Sequence, residues 1–308
     1  MEKIMQEQLP EKGDELEQYI RQYEQQFTPL KNGNEAEIVW ANRSKEKTKY
    51  ALVYLHGFTA SRGEGAPWHT SIVKHFGCNL YLPRLHSHGL KKDNFFEGFN
   101  YPDLLDSALN ACRIGQKLGE NVVLMGTSTG GTLALYAAGS HQFKINIKGL
   151  LLVSPLIHFY GYQSLLLENK WGRLFAKTVG GKDYKYNLNK KLSPKEQQIW
   201  YPYAPLSAAL ALGEMIQHIV TPSLLKNVIC PVFTGYYFKD DENHDNVVSP
   251  GAIEEMIEQL GTAENQKRLV NFPEAGSHVI CSELASNAVP ELIEKSICFL
   301  DDIIKISS

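Results

Sequence analysis

The stretch Asn-Val-Val-Leu-Met-Gly-Thr-Ser-Thr-Gly-Gly, residues 121–131, decides the fold that the sequence predicts. Residues 122–125 form a short apolar run, which is typical of a buried parallel strand. The run ends at the G-x-S-x-G pentapeptide 126–130, and the small-residue segment that begins at Thr132 predicts a helix. So sharp a passage from strand to helix holds Ser128 in a strained turn, with its hydroxyl at the carboxyl end of the sheet. We therefore predict that Ser128 is a nucleophile, and a Gly/Ser/Thr-rich turn without chemistry is the alternative.

The composition is that of a globular protein with a substantial core. The chain has 308 residues, of which 43% are hydrophobic and 21% charged, enough for one large α/β domain or two ordinary ones. Its 31 basic and 34 acidic residues give a net charge of -3 and form no basic stripe. Nucleic acid and anionic membrane surfaces are therefore not expected partners, whereas a small, fairly neutral molecule is.

The cysteines and the lack of long apolar runs indicate the cellular compartment in which the protein is expected. The five cysteines are scattered in mostly apolar surroundings: Cys78, Cys112, Cys230, Cys281 and Cys298. Their number is odd and their spacing fits neither a metal site nor a disulfide framework, so we expect reduced thiols and no metal or cofactor. The sequence also lacks a run of eighteen apolar residues and the apolar centre of a signal peptide. We expect a cytoplasmic protein without a stable membrane span, unless a leader has been removed.

Apolar runs and helical patterns alternate along most of the chain. Strands are predicted at 36–41, 50–55, 79–82, 122–125, 148–153, 231–238 and 268–272, and helices at 69–76, 101–118 and 289–304. This alternation predicts an α/β fold, with a parallel sheet that helices cover on both faces.

Two segments lie outside the core that we assign to residues 36–155 and 227–308. Residues 1–35 form an N-terminal helical extension, whose narrow apolar stripe suits packing on its own domain better than a dimer or partner interface. Residues 156–226 interrupt the alternation, with helices predicted at 164–177 and 206–220.

We interpret the insertion 156–226 as a helical cap over the catalytic end of the sheet. A long insertion at that position is the natural place for a substrate pocket. A merely structural insertion is the alternative.

The turn His56-Gly57-Phe58 ends the strand at 50–55 and has a chemical use. If the backbone N–H of Phe58 points into the cleft beside that of Thr129, the two can hold the oxygen of a tetrahedral intermediate. We expect His56 to brace this turn rather than to act in catalysis. His86 and His88, in the loop that follows the strand at 79–82, are expected to shape that loop rather than to bind a metal.

A serine hydroxyl needs a base, and the base needs an acid that orients it. His278 follows the last predicted strand, where parallel topology brings it to the same edge as Ser128, so we predict that it is the base. The acid must come from the loop after 231–238, in which Asp240, Asp241, Glu242 and Asp245 compete. We favour Asp245, because the apolar pair that follows it would anchor the end of the loop, and Asp241 is the alternative.

The chain order Ser128, Asp245, His278, with His56-Gly57-Phe58 upstream and an insertion after residue 153, resembles the α/β-hydrolase family. Within that family the chain looks like the capped serine esterases related to bacterial carboxylesterases and monoacylglycerol lipases. The resemblance covers roughly residues 36–305. It implies an eight-stranded, mostly parallel sheet and the hydrolysis of a carboxylic ester through an acyl-enzyme on Ser128.

Several alternatives remain open at this point. A serine hydrolase of thioesters, amides or C–C bonds would use the same three residues. A non-catalytic member of the fold that binds a small ligand is a further alternative, although such proteins usually show a broken triad. The acyl-chain length of the substrate and the choice between monomer and homodimer are not determined by the sequence.

Overall fold

The structure of the protein, a computed structural model, describes most of the chain. It covers residues 8–91, 95–96, 98–140, 145–180, 185–187 and 192–306. The strands are, in chain order, β1 (Glu37–Val39), β2 (Thr48–Leu55), β3 (Asn79–Leu82), β4 (Gly119–Thr127), β5 (Ile147–Val153), β6 (Lys185–Asn187), β7 (Tyr203–Pro205), β8 (Val232–Tyr236) and β9 (Lys267–Asn271). The helices are α1 (Gly13–Glu24), α2 (Trp68–Phe76), α3 (Tyr101–Leu118), α4 (Thr129–Gly139), α5 (Tyr162–Leu167), α6 (Lys170–Gly180), α7 (Pro194–Ile199), α8 (Leu206–Ile219), α9 (Pro222–Asn227), α10 (Pro250–Gln259) and α11 (Val289–Phe299).

The main sheet is built around β4, the strand that leads into Ser128. Among the described residues it has seven strands in the order β1-β3-β2-β4-β5-β8-β9, and β6 pairs with β7 in a separate ribbon. Every neighbouring pair in the main sheet is parallel except β1 and β3, which are antiparallel. The predicted α/β fold with a mostly parallel sheet is therefore confirmed.

The sheet has one strand fewer, within the described residues, than the eight that the resemblance implied. Strands β1 and β9 lie at the two edges, and the chain before β1 forms helix α1, as the predicted N-terminal helical extension requires. Leu16 and Ile20 on α1 are only 1% and 2% exposed, in the core that covers one face of the sheet. Their i, i+4 spacing places both side chains on one side of a helix, so this segment packs on its own domain.

Both faces of the sheet are buried, which explains the continuous apolar run before Ser128. Along β4, Val122 and Leu124 belong to one hydrophobic core, whereas Val123 and Met125 belong to the other. Successive side chains of a strand point to opposite faces, so a strand between two layers of helices is apolar at every position. Helices α3, α4 and α8 contribute to the first core, and α2 and α11 to the second.

The insertion differs from the prediction, because two helices replace the single one expected at 164–177. Helix α5 ends at Leu167 and α6 begins at Lys170. The side chain of Asn169 accepts hydrogen bonds from the N–H groups of Trp171 and Gly172, so it starts a new helix at the break.

Three helices, α7, α9 and α10, have no counterpart in the sequence prediction. Each begins with a hydroxyl residue that caps the helix and is followed by proline: Ser193, Thr221 and Ser249. A Ser/Thr-Pro pair is a helix-start signal, and it was available in the sequence. The first two helices have only six residues, which is too short for a hydrophobic period to show.

A helix that crosses a membrane must be both long and apolar. None of the helices in the described part of the chain combines the length and the apolar character needed to cross a bilayer.

Candidate active site

Ser128 lies at a strained turn between β4 and α4. Its backbone has φ 54° and ψ -120°, a conformation that costs a non-glycine residue about 1–3 kcal/mol. The flanking glycines allow the close passage: a Cβ on Gly126 would lie 2.4 Å from the carbonyl oxygen of Gly130, and one on Gly130 only 1.9 Å from that of Leu55. The N–H of Ser128 donates to the carbonyl of Val153 at 2.9 Å, which ties the turn to β5.

His278 is hydrogen-bonded to the acid that the sequence favoured. Nδ1 of His278 lies 2.6 Å from Oδ2 of Asp245, which is fully buried. The other oxygen of Asp245 accepts hydrogen bonds from the N–H groups of Val247 and Val248 at 2.9 and 3.1 Å. These two donors fix the carboxylate, so Nδ1 of the imidazole carries a proton towards Asp245 and Nε2 is left as an acceptor.

The competing acids of the same loop face solvent. Asp240, Asp241 and Glu242 are exposed. Oδ1 of Asp240 accepts hydrogen bonds from the N–H groups of Glu242 and Asn243, so it caps a turn within the loop. Of the four acids in this loop, the described contacts bring only Asp245 to His278.

The electrostatic surroundings favour the protonated form of His278. Burial lowers its pKa, but the charge and hydrogen bond of Asp245 and the charge of Glu64 outweigh that effect. The pKa of His278 is therefore raised above its usual value of 6.5. A raised pKa means that the imidazolium, which forms when this histidine accepts a proton, is stabilised.

Two backbone N–H groups beside Ser128 are available for an oxyanion. Thr129 is the first residue of α4, so its N–H has no acceptor within the helix. The N–H of Phe58 donates to no acceptor among the residues that the structure describes. Both residues line one pocket together with Ser128 and His278.

Histidines of two loops brace the turn that carries Phe58. The Nε2 of His56 accepts a hydrogen bond from the N–H of Leu85 at 3.3 Å, and that of His88 accepts one from Thr59 at 3.2 Å. Burial lowers the pKa of His56 to about 4, so it stays neutral and keeps this acceptor. Nε2 of His86 is hydrogen-bonded to the hydroxyl of Ser87, and the carbonyl oxygen of His86 accepts a hydrogen bond from Nδ1 of His88. The two loops are thus joined by imidazoles.

The pocket is small and mostly apolar. It has a volume of about 180 Å³, below the roughly 300–1,000 Å³ of pockets for drug-sized ligands. Phe159, Trp200 and Leu212, all from the insertion after β5, contribute to its wall. Glu64 also lines it, and neither Glu64 nor Trp200 was assigned to the site from the sequence. Neither residue belongs to a recognisable motif, so the sequence holds no signal that would have found them.

The comparisons with known proteins agree with this fold. The sequence profile of the alpha/beta hydrolase family matches residues 52–287. The match covers more than half of the chain, which therefore belongs to that family.

Individual relatives are distant. The chain is 24% identical over 221 residues to a thermostable monoacylglycerol lipase of Bacillus sp. (strain H-257), covering 72% of this chain and 80% of the relative. A structure from work on the metagenome-derived lipolytic enzymes LipS and LipT has a TM-score of 0.68 and 20% identity, covering 88% of this chain and 98% of the other. A soluble variant of monoglyceride lipase from Saccharomyces cerevisiae has a TM-score of 0.63 at 14% identity, with coverages of 89% and 92%.

Proposed function

We propose that this protein is a serine hydrolase that cleaves a carboxylic ester through an acyl-enzyme on Ser128. The observation that carries the proposal is the hydrogen-bonded pair His278–Asp245 in the same pocket as a serine held at a strained turn. The lipase relatives support an ester as the substrate.

In the first half of the reaction, Oγ of Ser128 attacks the ester carbonyl while Nε2 of His278 takes the proton of the Ser128 hydroxyl. A C–O bond forms, and the carbonyl oxygen becomes an oxyanion that accepts hydrogen bonds from the N–H groups of Phe58 and Thr129. Collapse of this intermediate breaks the ester C–O bond, and the leaving alcohol takes the proton back from His278. Asp245 holds the imidazole in the required tautomer and stabilises its cation.

Water completes the cycle by the same steps. It attacks the acyl-enzyme as His278 takes one of its protons, and the bond to Oγ of Ser128 breaks as the proton returns to that oxygen. The carboxylic acid is released and the free enzyme is restored. No cofactor or metal takes part in this proposal.

We further propose that residues 156–226 act as a cap on a core formed by 36–155 and 227–308, with 1–35 as an extension. Side chains of Trp200 and Leu212 in the pocket wall support this role. A pocket of about 180 Å³ suits a short acyl chain.

Labelling with a fluorophosphonate tests the proposal directly. The wild-type protein should be labelled at Ser128, and a panel of chromogenic esters of rising chain length should show turnover that falls as the acyl chain lengthens. Matched thioesters and amides separate ester hydrolysis from the related reactions. A protein that is neither labelled nor active on any member of the panel would instead be a ligand-binding member of the fold.

A further inference from the structure

The pocket contains a buried carboxylate that the mechanism above does not use. Glu64 is 2% exposed and lines the pocket with Ser128 and His278. A carboxylate is rarely buried to this extent without a structural or functional reason, because removal from water is costly for the charged form.

Three neutral donors satisfy this carboxylate. Oε2 of Glu64 accepts hydrogen bonds from the N–H of Gly57 at 2.7 Å and from the hydroxyl of Tyr54 at 3.1 Å. Oε1 accepts one from the indole N–H of Trp200 at 3.0 Å. Burial is the largest effect and leaves the pKa of Glu64 above its usual value, while the hydrogen bonds from these three donors and the charge of His278 lower it. Donors that point at both oxygens favour the ionised form.

The partners of Glu64 belong to separate parts of the site. Gly57 directly precedes Phe58 in the proposed oxyanion turn, and a Cβ at Gly57 would lie 3.1 Å from Oε1 of Glu64. Trp200 comes from the insertion, 136 residues away in the chain. The carboxylate therefore joins the oxyanion turn to the wall of the pocket.

The hydroxyl of Tyr54 links the carboxylate of Glu64 to the two segments that carry Ser128 and His278. It lies 3.1 Å from Oγ1 of Thr127, the residue before Ser128. Oγ1 of Thr127 in turn lies 3.2 Å from Sγ of Cys281, in the segment that follows His278.

The charge of Glu64 also acts on His278. The groups that raise the pKa of this histidine are Asp245 and Glu64, and Glu196 is the remaining carboxylate in the pocket lining. The titratable groups that face Glu64 itself are His278, Tyr54 and Cys281. Tyr54 and Cys281 are neutral at pH 7, because burial raises the pKa of each.

We infer that Glu64 is a positioning residue of this active site: it fixes the oxyanion turn through Gly57, connects that turn to Trp200, and supplies a second negative charge for the imidazolium of His278. The inference rests on the proposed serine hydrolase function. It assigns a role that Ser128, His278 and Asp245 do not fill, since none of the three contacts the oxyanion turn through its side chain in the described hydrogen bonds.

The substitution Glu64→Gln tests both parts of this role. The amide has one acceptor oxygen, so its NH2 group must face either the N–H of Gly57 or that of Trp200, and one donor loses its partner. The negative charge is lost as well. We expect kcat/KM to fall by about ten- to a hundredfold, and the pKa of the acid limb of its pH profile to fall by about 0.3 to 1 unit.

Trp200→Phe is the matched control, because it removes one hydrogen bond to Glu64 and keeps the carboxyl group with its donors Gly57 and Tyr54. Its acid limb should shift less than that of Glu64→Gln, whatever its rate. In Glu64→Gln, the amide NH2 group can face the indole N–H of Trp200, so that two hydrogen-bond donors point at each other. The double variant Glu64→Gln/Trp200→Phe removes this conflict, because the NH2 group then faces an apolar ring. It should fold at least as well as Glu64→Gln, recover part of the lost rate, and keep the lowered acid limb.

The pH profile decides the outcome. A wild-type acid limb in both the single Glu64→Gln variant and the double variant would overturn the inference, even if the rate had fallen. An equal downward shift in Trp200→Phe would overturn it too, because that variant keeps the carboxylate. The proposed function is tested separately by fluorophosphonate labelling of the wild-type protein. A labelled wild type with an unshifted Glu64→Gln profile refutes the role of Glu64 and leaves the serine hydrolase intact.

Discussion

The substitution Asp245→Asn removes the charge of the proposed acid and leaves the shape of its loop nearly unchanged. In the structure one carboxylate oxygen accepts two backbone N–H groups, from Val247 and Val248, and the other faces Nδ1 of His278. An asparagine has a single acceptor oxygen in this position. Two fixed backbone donors compete for it against one imidazole, so the oxygen stays with the backbone and the NH2 group turns towards His278.

That orientation puts the histidine in the wrong tautomer. A donor NH2 facing Nδ1 requires Nδ1 to accept, so the imidazole proton moves to Nε2, which then cannot take the proton of Ser128. The imidazolium also loses the adjacent negative charge. We expect kcat to fall by about 10³- to 10⁴-fold, which corresponds to about 4 to 5.5 kcal/mol of lost transition-state stabilisation.

The measurement is kcat on a short-chain chromogenic ester, with thermal unfolding as the check on folding. Asp241→Asn is the matched control, since Asp241 lies in the same loop but is exposed. It should cost less than about tenfold, because solvated surface charges contribute little. A crippled Asp241→Asn variant beside a nearly unaffected Asp245→Asn variant would refute the assignment of the acid.

Three further outcomes are expected. Ser128→Ala should lose about 10⁴ to 10⁶ in kcat and all fluorophosphonate labelling, with little change in thermal stability; labelling that persists would exclude Ser128 as the nucleophile. The profile of kcat/KM should rise with pH through one ionisation above pH 6.5, because His278 must be neutral to act and its pKa is raised; a midpoint below that value contradicts the electrostatic argument. Leu212→Ala should enlarge the pocket and raise the relative kcat/KM for longer acyl chains, and an unchanged chain-length preference would remove Leu212 from the acyl site.

Local patterns in the sequence were sufficient for most of the core. The helix predicted at 101–118 and the strand predicted at 79–82 have the same bounds in the structure. The strand before Ser128 is longer than predicted, at Gly119–Thr127, because polar and glycine residues at its ends carry no apolar signal. Interactions between residues close together in the chain determine these elements, so the hydrophobic period and the capping residues in the sequence predict them directly.

The insertion was predicted less well, for two physical reasons. The break between α5 and α6 depends on one side chain, Asn169, which caps a helix inside an otherwise helical pattern. The six-residue helices α7 and α9 are too short for a hydrophobic period to show, and each is marked in the sequence only by its capping residue, Ser193 or Thr221.

The sequence by itself determined the α/β class, the turn at Ser128 and the order of the three residues in the proposed triad. The G-x-S-x-G pentapeptide between an apolar strand and a helix is a local feature, and parallel topology then places the later loops at the same sheet edge. Which of the four acids contacts His278, and the presence of Glu64 and Trp200 in the pocket, are decided by the tertiary structure. Each depends on contacts between residues far apart in the chain, such as the 136 positions between Glu64 and Trp200, and no local pattern specifies which distant partners will meet.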